Sequence, residues 1–93
     1  MPRVTIEEAA NKIATLAKDN HKPIALFKNS RDCVVRAWPH EVNRVVGTYI
    51  GTYDDQADPD WIEEDLQDAF HNVSCLVLKA TSISAHKGSR WQF

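Results

Sequence analysis

Between residues 58 and 73 the chain reads DPDWIEEDLQDAFHNV, and what this stretch demands constrains the rest. Asp58 can accept from the unpaired backbone N–H groups at a helix start, and Pro59 suits the first helical position, where its missing N–H is no loss. Ile62, Leu66, Ala69 and Phe70 recur at helical spacing as one apolar stripe, which Trp61 and Val73 extend at its ends. Glu63, Glu64, Gln67 and Asp68 take the other side, and Asp58, Asp60, Glu63 and Glu64 lie near the positive end of the helix dipole. His71 and Asn72 close the last turn. A helix with a single apolar stripe and an acidic remainder has to lie on a layer that covers one side of it only.

A second helix of the same kind is predicted near the start of the chain. Thr5 and Glu8 form a capping box, and Ile6, Ala9, Ala10, Ile13, Leu16 and Ala17 then keep one face apolar to about residue 19. Asn20, His21, Lys22 and Pro23 end it. The segments between and after the helices read as strands. Residues 24–28 and 33–38 flank a polar turn over 29–32, residues 45–53 (VVGTYIGTY) have high β-propensity, and residues 74–83 follow the acidic helix. Gly47 and Gly51 interrupt the third strand, which suggests a bulge, strong twist or close approach by a side chain. The form of the connection around His40, Glu41 and Asn43 does not follow from the sequence. The expected fold is α+β: one domain over 1–93, in the order α-β-β-β-α-β. Its four-stranded sheet is mainly antiparallel, with both helices on one face, and residues 84–93 form a polar, basic tail, a candidate flexible segment whose order the sequence does not define.

Charge is segregated more than the net value of −2 suggests. Residues 54–72 hold eight acids and no Lys or Arg, whereas residues 73–93 hold three bases and no acid. No run approaches the roughly 20 apolar residues needed to span a bilayer, and the N-terminus runs directly into a helix without an apolar signal core. A cytoplasmic protein with no membrane partner is the expectation. Cys33 and Cys75 each sit inside an apolar run and read as buried free thiols, unless their strands are neighbours and allow a bridge.

Two surfaces carry functional expectations. With both helices on one face of the sheet, one register puts Phe27, Arg36, Trp38, Tyr49, Tyr53 and Lys79 together on the other. Aromatic and basic residues in this mixture suit a protein interface, including one formed between two copies of the chain. They also suit single-stranded nucleic acid, which stacks on such rings, although a net negative charge opposes phosphate. The second surface is the acidic face of Asp60, Glu63, Glu64 and Asp68, complementary to a basic partner.

No catalytic set, metal site or cofactor motif is assigned. Asp68 and His71 make half of a helical carboxylate–histidine site, with no matching half on the first helix. His40 beside Glu41 is a weak acid–base pair. With three glycines in the whole chain there is no phosphate-cradling loop. The chain is therefore read as a small non-enzymatic interaction module that self-associates as a homodimer, or binds a protein partner, through the aromatic sheet face and the acidic helix, with a single-stranded nucleic-acid-binding module and a small His/carboxylate enzyme as the alternatives.

Overall fold

The computed structural model describes residues 3–81. The expected extension of the last strand to residue 83 and the basic tail over 84–93 lie outside the described residues. The chain runs β1 (Arg3–Thr5), α1 (Ile6–Asn20), β2 (Ile24–Ser30), β3 (Cys33–Ala37), a 3-10 helix (Pro39–Arg44), β4 (Thr48–Tyr53), α2 (Pro59–Ala69) and β5 (Cys75–Ala80). The strands form one mixed sheet in the order β1-β5-β3-β2-β4. The class is α+β, as the two striped helices require, but the sheet has five strands rather than four. A short strand precedes α1, and β5 runs parallel to β3 while the other pairings are antiparallel.

Local chemistry places the helices where the sequence expects them. Thr5 Oγ1 accepts from the Glu8 N–H, and Glu8 Oε1 accepts from the Thr5 N–H, so the capping box closes α1. These bonds to Thr5 hold the Glu8 carboxyl below its ordinary range. His21 ends α1 in the left-handed conformation, returning its N–H to Ala17 and Lys18 carbonyls. Asp58 caps α2 by accepting from the Asp60 N–H, with Pro59 at the first position.

Both helices share one face of the sheet. Ala9, Ala10, Ile13 and Ala17 of α1 and Ile62 and Leu66 of α2, with Phe70 beyond it, pack on Ile24, Leu26, Val34, Tyr53, Leu76 and Leu78. The alanines of α1 let the two helices approach closely over the strands.

The other face is not left open. The 3-10 helix folds back across it, and Val42 and Val45 pack on Ala25, Phe27 and Ala37. The connection whose form the sequence did not define is thus the cover of the second face, and the expectation of a bare sheet face is corrected. Cys33 and Cys75 lie on neighbouring strands, offset in register because Cys33 stands opposite Val77, and both are free thiols.

Candidate interaction site

Two β-bulges decide which side chains share a surface. The first lies in β2, where Ser30 pairs with Cys33 but Lys28 pairs with Val34, so Asn29 is an extra residue. The second lies in β4, where Gly51 pairs with Leu26 and Tyr49 with Phe27, so Ile50 has no residue opposite it. Each extra residue inverts the in-and-out alternation beyond it.

The consequences correct half of the expected aromatic face. Phe27, Tyr49 and Lys79 do point away from the helices, and the Phe27 and Tyr49 rings meet edge to face, with centroids 5.5 Å apart. Arg36 and Trp38 lie on the helix side instead, because the Asn29 bulge sets Arg36 beside Leu26. Tyr53 lies there as well, because the Ile50 bulge reverses it relative to Tyr49.

Arg36, Trp38 and Glu41 are buried and form a structural clasp where β3 and β5 end. The Arg36 guanidinium stands 5.6 Å from the Trp38 ring centre. Glu41 accepts from the Trp38 N–H at 3.0 Å and from the Thr81 hydroxyl at 2.9 Å, which pins the 3-10 helix to the strand ends. Burial lowers the Arg36 pKa to about 10 against the opposing pull of the Glu41 carboxylate.

The same layout places the small chemical candidates. Glu41 is turned inward and bonded while His40 is exposed, so they do not face one cavity. Asp68 and His71 are both exposed on the surface. Among the described residues no group of three or more His, Cys, Asp or Glu could hold a metal ion. Burial pushes the Cys33 thiol up, Lys79 draws it partly back, and Asp32 adds to the rise.

Among the described residues the large apolar side chains that stay exposed lie on or near β4 and α2. Among the described residues β4 has β2 as its one partner, leaving its outer edge of N–H and C=O groups unpaired in the sheet. Val46 and Tyr49 are 83% and 56% exposed beside this edge, and Trp61 of α2 is 63% exposed. Trp61 was expected to extend the apolar stripe. Helical spacing places it with Asp65 and Asp68 instead, on the side of α2 that borders β4.

Between β4 and α2 runs a groove of about 680 Å³. Lys28, Thr48, Ile50, Asp65, Asp68 and Ala69 are among its walls. Tyr53 donates its hydroxyl to Asp65 Oδ2 at 2.7 Å, fixing one acid at the wall. Lys28 Nζ donates to the Ala69 carbonyl at 2.8 Å and sits 5.2 Å from the Phe70 ring centre, so its charge answers the C-terminal end of α2.

Of the expected acidic face, Asp68 lines this groove, while Asp60 and Glu64 are exposed and Glu63 is half-buried, accepting from Gln67. Asp65 and Lys28 were missed as groove residues. The signal for Asp65 is its helical spacing from Trp61 and Asp68, and for Lys28 it is the plain alternation along β2 that puts it on the face of Ile24 and Leu26.

Comparison with protein-family models, with curated proteins and with solved structures found no match to this chain. No helix among the described residues is long and apolar enough to cross a membrane.

Proposed function

We propose that this chain is a non-enzymatic protein-binding module that docks a partner chain along the outer edge of β4 and the groove beside it. The observation that carries this is the coincidence, among the described residues, of an unpaired strand edge with three exposed large apolar side chains, Val46, Tyr49 and Trp61. Strand edges bind partners through main-chain hydrogen bonds, and exposed aromatic residues act as anchors. Single-stranded nucleic acid draws less support: Arg36, Trp38 and Tyr53 are withdrawn to the helix side, and the acids of α2 border the remaining surface.

Amide resonances of isotope-labelled protein, followed from millimolar to tens of micromolar and with added strand-forming peptides, test the proposal. Shifts centred on residues 46–53 support it, and dilution-dependent ones identify a second copy as partner. Resonances of 46–53 that move under neither condition refute it.

A further inference from the structure

Resting on that function, we propose that the partner offers an extended segment bearing arginine, which adds to the edge of β4 and seats alternate side chains in the groove against α2. An added strand projects its side chains to opposite faces in turn, so one set must fall on the α2 side. The wall there presents Asp65 and Asp68, with Trp61 on the same stripe of the helix. Tyr53 occupies one oxygen of Asp65, and a carboxylate can accept several further hydrogen bonds.

The cation already in the groove, Lys28, is directed to the Ala69 carbonyl, and α2 itself carries acids and no base. Guanidinium fits this wall because it bonds carboxylates bidentately, and Trp61, outside the groove but one turn from Asp65 on the same stripe of α2, offers an aromatic face on which it can stack. An acidic segment would meet repulsion. A second copy fits less well, because two-fold pairing of β4 with itself would bring one α2 and its acids against the other.

The test uses the full chain and three fluorescein-labelled peptides: alternating Arg with Thr and Val, and the same peptide with Gln or with Glu in place of Arg. The Arg peptide is expected to bind at least roughly tenfold more tightly than the Glu peptide at low salt, with the gap closing as salt rises. The amides of Thr48–Tyr53 should gain protection from exchange on binding. Asp65→Asn/Asp68→Asn, which keeps an acceptor for Tyr53, should reduce the Arg peptide to the affinity of the Gln peptide.

Equal binding of the Arg and Gln peptides, with β4 protected, overturns the arginine preference and leaves the module standing. Arg-peptide binding without β4 protection overturns strand addition. If no peptide changes β4, and dilution changes nothing either, both the preference and the module are refuted.

Discussion

Replacing Tyr53 by Phe removes one hydroxyl and keeps the ring. The ring belongs to the core beneath α2, and the hydroxyl donates at 2.7 Å to Asp65, an exposed residue. A bond to a charged acceptor is worth about 1.5–3 kcal/mol when buried, but here Asp65 can recover water, so a loss of about 1 kcal/mol is expected at neutral pH. For a domain of this size that lowers Tm by about 4–8 °C.

The loss also depends on pH. Burial first, then the bond to Asp65 and its charge, raise the Tyr53 pKa well above its ordinary value of 10. Above that value an unfolded chain releases the proton while the folded one retains it, so stability from Tyr53 is complete below about pH 10 and falls above it, at up to about 1.4 kcal/mol per pH unit. Arg36 acts oppositely in the same window, because burial holds its folded pKa, at about 10, below the ordinary guanidinium value, so its contribution to stability rises with pH. Both proteins contain Arg36, so the difference between wild type and Tyr53→Phe isolates Tyr53. Urea unfolding at neutral pH and from pH 9.5 to 11.5 should show the wild-type advantage vanish near about pH 11. An advantage that is absent at neutral pH, or unchanged at alkaline pH, refutes the account.

Gly47→Ala places a Cβ 2.7 Å from the Lys28 carbonyl oxygen, a backbone atom, so the start of β4 must move off β2. A lower urea midpoint with an unchanged slope, worth about 1–3 kcal/mol, is expected. Thr5→Ala opens the capping box of α1 and should cost about 1 kcal/mol by the same measurement. Val46→Ser/Trp61→Ser alters exposed side chains only, so stability should stay within about 0.5 kcal/mol while affinity for the Arg peptide falls. Cys75, half-buried, should alkylate faster than the buried, raised Cys33 at neutral pH, and equal rates by mass spectrometry would contradict the burial difference.

The helices were legible because their determinants are local. Thr5 with Glu8, and Asp58 with Pro59, act within a single turn, and the apolar stripes repeat at the helical period. The faces of the sheet were not, because alternation is counted from a register that distant residues set. A four-residue turn over 29–32 would pair Lys28 with Cys33 and put Phe27 with Arg36 and Trp38. The strand instead runs on to Ser30, with Asn29 as an extra residue, and this reverses the relation.

In β4 the glycines did signal irregularity. An added Cβ at Gly51 would lie 2.7 Å from the Tyr53 hydroxyl, so Gly51 leaves the space Tyr53 needs to lean back towards Asp65. Which residue becomes the extra one is fixed by pairing with β2, and no local pattern names Ile50. β1 escaped for a related reason: three residues are too few to show a period, and pairing with β5 makes them a strand.

These bulges bear on binding as well as on legibility. A long, flat, apolar strand edge invites indiscriminate pairing, and bulges are a common way to discourage it. With Ile50 breaking its ladder, β4 presents two short runs, Thr48–Tyr49 and Gly51–Tyr53, rather than one uniform template. The main-chain bonds available to any passing strand are therefore limited, and discrimination must come from side chains on either side of the edge. One side offers Tyr49, backed by Phe27, and the other offers Asp65 and Asp68 along the groove. Without the Ile50 bulge, Tyr53 and Tyr49 would share a face, and the hydroxyl that ties Asp65 to the groove wall would point away from α2. The insertion that makes the edge a poor general template is thus the one that assembles the charged wall beside it.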